Sequence, residues 1–156
     1  QGCGDAIVNV TARDLELENI IIAIPSDEVA SLWKHVKEML YPAVERSHGR
    51  WTMQTLLIAL KEGKQQLWVV FEEGQPIKGV ATTEILSYPN KNMLAIQYLG
   101  GNDLETWGMS YLKRVAEFAK AAKCQGIEAT GRKGLWKWFK EDDYKDTYTV
   151  YEKEID

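Results

Sequence analysis

Three segments of strand character follow one another between residues 66 and 99, and a long helical segment comes straight after them. No other feature constrains the fold as tightly. Gln66–Phe71 and Ile77–Leu86 carry Val, Ile, Thr and aromatic residues, and Glu72-Glu73-Gly74-Gln75 between them reads as a hairpin turn. Ser87-Tyr88-Pro89-Asn90-Lys91-Asn92 turns the chain again, into Met93–Leu99. Over Thr106–Lys123 the period becomes helical, with Leu112, Val115, Ala116, Ala119 and Ala122 on one face. The short strand Gly126–Thr130 follows. Two-residue and longer hairpin turns make antiparallel neighbours, whereas a helix between two strands makes them parallel. Met93–Leu99 and Gly126–Thr130 are therefore expected to pair in parallel at the end of an antiparallel meander.

The flanking segments complete the order. Ile20–Ile24 is a β-branched strand stopped by Pro25. Ser26 is placed to cap the next helix, along which Val29, Leu32, Trp33, Val36, Met39 and Leu40 recur until Pro42 ends or bends it. Thr52 is placed to cap a second helix with Leu56, Leu57 and Leu60 inward and Gly63 beyond its end. Gly134–Glu141 reads as a short amphipathic helix and Thr147–Lys153 as a final alternating strand. Residues 1–19 read as an N-terminal extension or an expression-derived arm, and 20–156 as one domain. The sum is a single α/β domain, its mixed central sheet of about six strands flanked by helices.

Composition removes several functions. The 156 residues are enough for one core without a disulfide or a metal. Nineteen Lys+Arg against 23 Asp+Glu leave a net charge of −4, poor for general polyanion binding. The longest apolar runs, such as Leu67–Phe71, are far short of the roughly 20 residues of a membrane span. Cys3 and Cys124 are too separated in sequence and setting to suggest a structural disulfide, and His35 and His48 have no metal-ligand spacing around them. No signal segment is seen, and Asn9-Val10-Thr11 fits a glycosylation acceptor only as a chance pattern would. Arg132, Lys133, Lys137 and Lys140 interleave with Trp136, Trp138 and Phe139, the residue types of a nucleic-acid surface. Glu141-Asp142-Asp143 follows at once and cancels much of that field, so nucleic acid is not expected as a partner.

The element order from residue 20 onward resembles that of the GNAT superfamily, the acetyl-CoA-dependent N-acyltransferases. Local strings sharpen the resemblance. Gly49-Arg50-Trp51-Thr52, Leu60-Lys61-Glu62-Gly63 and Gln66-Leu67-Trp68-Val69-Val70 look like the small GNAT-like proteins of tailed bacteriophages. So do Gly126-Ile127-Glu128, then Gly131-Arg132-Lys133-Gly134-Leu135-Trp136, and Tyr144 near the end. The resemblance implies a GNAT-like fold whose parallel pair splays to leave a cleft. It also implies a virion or assembly-associated protein with weakened or lost acetyltransferase chemistry. Its partners would be phage virion or host proteins, and its place the virion or the infected-host cytoplasm. The alternative it carries is an active acyl-CoA-dependent N-acetyltransferase working on a host protein or a small amine. Acetyl-CoA is possible as cofactor but not required, and no metal is implied.

A GNAT enzyme needs three devices, and the resemblance assigns candidates for each. A Gly-rich loop of pattern Arg/Gln-x-x-Gly-x-Gly/Ala lets backbone N–H groups and a helix N-terminus meet the pyrophosphate. The stretch here runs Gly100-Gly101-Asn102-Asp103-Leu104-Glu105-Thr106-Trp107-Gly108. Gly100, Gly101, Thr106 and Gly108 are the cofactor-binding candidates, in a degenerate loop with altered spacing, no Arg or Gln at its head, and Asp103 and Glu105 facing like charge. A general acid, usually a Tyr on the short C-terminal helix, protonates the departing thiolate. Aligning the terminal aromatic of that motif with Tyr144 puts Phe139 where the phenol belongs, so Tyr144, with Tyr148 behind it, is the remaining candidate. For a general base only Glu84 and Glu128 qualify, with Glu84 preferred.

Overall fold

The computed structural model describes residues 19–156. Five strands form one sheet in the order of the sequence: β1 (Ile20–Ile24), β2 (Gln66–Phe71), β3 (Gly79–Ser87), β4 (Asn92–Gly101) and β5 (Gly126–Ala129). The first four run antiparallel to their neighbours, and β5 runs parallel to β4, as the helical connection requires. Helices α1 (Val29–Glu45) and α2 (Met53–Lys61) cover one face. Helix α3 (Leu104–Ala121) and the six-residue α4 (Trp136–Glu141), entered through a 3-10 turn at Lys133–Leu135, cover the other.

Alternation along the strands sends side chains to the two faces. Leu67, Val69, Val80 and Tyr98 meet Val36, Leu40, Leu56 and Leu60 on the α1/α2 side. Trp68, Val70, Ala81 and Ile96 meet Trp107, Tyr111, Leu112 and Val115 on the α3 side, where Phe139 of α4 also packs. The α2 cap is the one expected: the Thr52 hydroxyl accepts from the Thr55 N–H at 3.1 Å, and Thr55 Oγ1 accepts from the Thr52 N–H at 2.9 Å.

Four expectations are corrected. Of the two outcomes expected at Pro42, ending the helix is excluded: α1 runs through it to Glu45, held by its buried face of Val36, Leu40 and Val44. Ser26 makes no capping bond; the 3-10 turn Ser26–Glu28 leads into α1 instead. α3 starts two residues before Thr106, at Leu104. Thr147–Lys153 forms no strand, and Tyr148, Val150 and Tyr151 stand in solvent. The expected extension at 1–19, with Cys3 and the Asn9 pattern, lies outside the described residues except for Asn19. Among the described residues no helix is long and apolar enough to cross a membrane, and no side-chain group could hold a metal ion.

Candidate functional site

The sheet opens where β4 carries one residue more than β3. Thr82 pairs with Tyr98 but Thr83 pairs with Ile96, which leaves Gln97 as a bulge. β5 pairs with β4 only from Met93 to Ile96, so the parallel ladder stops at that bulge. Beyond it β4 continues to Gly101 paired with β3 only. At this end a narrow apolar pocket of only about 10 Å³ is lined by Leu99 of β4, Leu104 and Tyr111 of α3, and Leu135, Trp138 and Phe139. Its outer wall comes from the turn and helix after β5, through Leu135, Trp138 and Phe139.

The loop from β4 into α3 borders this cleft, and its glycines have structural work to do. A methyl group on Gly100 would collide with the Met39 backbone carbonyl, so this glycine lets α1 lie close on β4. Gly101 has φ +110°, and a methyl there would strike the Lys78 carbonyl. A side chain at Gly108 would meet Leu104 and Trp138, so that position seats α4 against α3. Thr106 donates its N–H to the Asp103 carbonyl at 2.8 Å and its hydroxyl to the same oxygen at 2.7 Å. Asp103 itself takes the left-handed conformation at φ 58°, with no side-chain cap on the helix. Asn102 is fixed from both sides: its N–H donates to Lys78 O and its carbonyl accepts from Trp107 Nε1, each at 2.8 Å. The residues present do not fit a pyrophosphate cradle. Two of the small residues face backbone of this chain, the third faces side chains, and Asp103 and Glu105 put negative charge at the helix start.

One expectation about this loop is corrected by the sequence itself and one contact is new. Gln97 stands three positions before Gly100, so a Gln does head the pattern as Gln97-x-x-Gly100, at the bulge of β4, and Asn102 replaces the last small residue. Lys78 reaches Thr106 Oγ1 at 3.5 Å, and its ammonium is shared with Glu72 at 3.3 Å. Only the close approach of the β2–β3 connection to α3 reveals it.

The candidate acid lies on the α3/α4 side. Tyr144 packs on Phe139 with ring centroids 5.0 Å apart, and its N–H donates to the Phe139 carbonyl at 3.0 Å. Its phenol oxygen is buried without a hydrogen-bond partner, and burial raises its pKa well above the ordinary phenol value, with Asp142 adding to the rise. Tyr111 on α3, 1% exposed, has a second such oxygen, held neutral by burial and then by the nearby Tyr144 phenol. Phe139 is itself buried, as a core aromatic would be. Tyr148 is 73% exposed and takes no part in the cleft.

The candidate bases lie on the opposite side. Thr83 accepts from Trp68 Nε1 at 2.9 Å on the α3 face, so its neighbour Glu84 points to the α1/α2 face. Glu84 and Glu128 both pair with Ala95 and stand on either side of it in one cross-strand row. Glu84 accepts from Gln65 Nε2 at 3.1 Å, and Glu128 accepts from the Tyr88 hydroxyl at 2.9 and 3.1 Å. That bond, followed by burial, raises the Tyr88 pKa. The structure thus joins Glu84 to Glu128 in a row and separates both from Tyr144 by the thickness of the sheet. A larger surface hollow of about 240 Å³, at the α1–α2 elbow beside Tyr41, Trp51 and Met53, contains none of the candidates.

No protein-family model and no curated protein matches this sequence. Solved structures do match its shape. A GNAT family acetyltransferase from Staphylococcus aureus superposes with a TM-score of 0.60 at 15% identity, over 88% of this chain and 99% of that one. A predicted acetyltransferase from Clostridium acetobutylicum, solved with acetyl-CoA, gives 0.64 at 14% identity, over 87% and 96%. An aminoglycoside acetyltransferase from an uncultured soil metagenomic sample, in complex with sisomicin, gives 0.65 at 12% identity, over 91% and 99%. The chain has a GNAT-like fold. At these identities the likeness is one of fold, and the departures in the loop and at Phe139 belong to this chain's own version of it.

Proposed function

We propose that this chain is a GNAT-fold protein whose acetyl-transfer chemistry is weakened or lost, and that it serves as a component of a bacteriophage virion or of its assembly. The observation that carries the first half is the narrow pocket between the end of β4, α3 and α4, walled by Leu135, Trp138 and Phe139, with Gly100 and Gly101 nearby held against backbone. A ligand arm threaded through it would have to displace those side chains. The second half rests on the resemblance of the strings from Gly49-Arg50-Trp51-Thr52 to Tyr144 to small GNAT-like phage proteins. Its partners are then virion or host proteins, met in the virion or the infected-host cytoplasm.

The second reading is an acyl-CoA-dependent N-acetyltransferase acting on a host protein or small amine. The parallel β4–β5 ladder ending at the bulge and the fold shared with a protein solved with acetyl-CoA favour it. In that reading Gly100, Gly101, Thr106 and Gly108 border the cofactor, Glu84 is the base and Tyr144 the acid. Turnover decides between the two. With acetyl-CoA and a panel of primary amines and lysine peptides, free thiol release is expected to stay at background. Phe139→Tyr, Tyr144→Phe and Tyr148→Phe should leave it there. General acid catalysis is typically worth about 10²–10⁴-fold. Measurable release that falls at least about tenfold in Tyr144→Phe, at an unchanged thermal midpoint, establishes the enzyme instead.

A further inference from the structure

Arg132, Lys133, Lys137 and Lys140 lie at and along the 3-10 turn and helix that follow β5, and Glu141-Asp142-Asp143 comes straight after them. The acids do not pair with these cations. All four cations are exposed, and among the described residues none forms an ion pair with Glu141, Asp142 or Asp143. Leu135, Trp138 and Phe139 turn inward to the narrow pocket. That leaves Lys133, Trp136, Lys137 and Lys140 on the outer side, at spacings of three and four residues. Trp136 is 39% exposed, and Lys137 Nζ stands 5.4 Å from the centroid of the Trp138 ring. The asymmetry extends to α3: residues 104–141 carry eight Lys+Arg against four Asp+Glu, in a chain whose net charge is −4.

We propose that this outer face of α4 docks a segment of a partner protein. The segment's acidic residues meet Lys133, Lys137 and Lys140, an apolar side chain packs on Trp136, and basic residues follow, opposite Glu141-Asp142-Asp143. Charge complementarity selects that occupant. The surface changes sign from positive to negative within a few residues, and a peptide can change sign with it. A nucleic acid cannot: its phosphates carry one sign throughout, and they would be brought against the three acids. Its bases would also find only one free ring on this helix, because Phe139 is buried and Trp138 is half-buried beside Lys137. An exposed Trp among cations suits a protein interface instead. The indole supplies apolar area to bury, and the charges steer and orient the partner. The docking is independent of whether the pocket admits acetyl-CoA, since none of these four side chains lines it.

A fluorescent peptide of glutamates and leucines ending in lysines, titrated with the full chain at low salt and read by anisotropy, tests this. Saturable binding that weakens as salt is added is expected. Lys133→Glu/Lys137→Glu and Trp136→Ala should each weaken it by about tenfold or more, whereas Lys61→Glu on α2 leaves it unchanged. The lysine double variant keeps the wild-type thermal midpoint, because both positions are exposed, so its loss of binding is not a loss of fold. Replacing the peptide's terminal lysines with glutamates should weaken binding, and a single-stranded oligonucleotide should bind less tightly than the original peptide. A peptide that does not saturate at high micromolar chain, or that binds the double variant as well as the wild type, overturns the proposal. So does tighter binding of the oligonucleotide, which makes the face a nucleic-acid surface. Self-association in sedimentation that Lys133→Glu/Lys137→Glu abolishes gives the face to a second copy, and overturns it too.

Discussion

The two faces of the sheet are built from different material. The α1/α2 face is closed by helices of 17 and nine residues whose inner side chains are aliphatic, with Val36, Leu40, Leu56 and Leu60 wholly buried. The α3/α4 face is aromatic. Trp68, Trp107, Tyr111 and Phe118 meet edge to face there, at centroid distances of 5.3 to 6.3 Å, and a six-residue helix completes the cover. The aliphatic face carries the larger hollow, at the α1–α2 elbow, and the unpartnered side-chain oxygens of Gln65 and Thr82. The aromatic face carries the narrow pocket and two phenol oxygens without partners. The pocket on the second face is lined by this chain's own Leu135, Trp138 and Phe139.

Substitutions can break or sharpen that contrast. The largest effect is expected from Gly100→Ala, because backbone must move against backbone where α1 crosses β4. Overpacking of this kind costs about 3 kcal/mol or more, and chemical denaturation should show it in the absence of any ligand. A glycine kept for phosphate contact would lose binding and retain stability. Leu40→Ala comes next, at about 2–5 kcal/mol from the cavity left under α1, read from the same denaturation midpoint. On the aromatic face the sign reverses. Tyr111→Phe removes a buried oxygen with no protein partner and is expected to raise stability by about 1 kcal/mol.

Alkaline titration sharpens the same point. Both buried phenols hold their protons more tightly in the folded chain than at the ordinary value of 10.0. Their stabilisation is complete below pH 10 and is lost as the pH rises above it, because the unfolded chain releases those protons first. The double variant Tyr111→Phe/Tyr144→Phe should therefore lose less stability than wild type between pH 10 and the alkaline limit, measured by thermal midpoint. The smallest effect is Arg50→Ala. Its pair with Glu152 is about half exposed on each side, and such pairs contribute roughly 0–1 kcal/mol. A larger loss would mean the segment after α4 is more firmly seated than its exposure indicates.

Legibility in the sequence followed the same division. β1 and β2 fall on the residues expected for them, and the Thr52 cap and the parallel β4–β5 pair were readable from local chemistry and connection type. Strong period and clear punctuation produce that result. Helix α1 passing Pro42 was not readable, since the apolar stripe that holds Val44 inward acts through tertiary packing. Nor was the function of Gly100, whose partner is the Met39 carbonyl more than sixty residues earlier in the chain. The bulge at Gln97 and the contact of Lys78 with Thr106 arise from register and from loop approach, which no spacing rule encodes. Thr147–Lys153 has the right composition for a strand, but composition alone does not supply ladder pairing.

The central claim is that the cleft between β4 and β5 is walled by this chain's own residues and the adjoining loop no longer cradles a pyrophosphate. Isothermal titration of the full chain with acetyl-CoA tests it most directly. The account predicts no detectable heat with ligand in the millimolar range. Saturable binding in the micromolar range, a free energy near −8 kcal/mol, would contradict it.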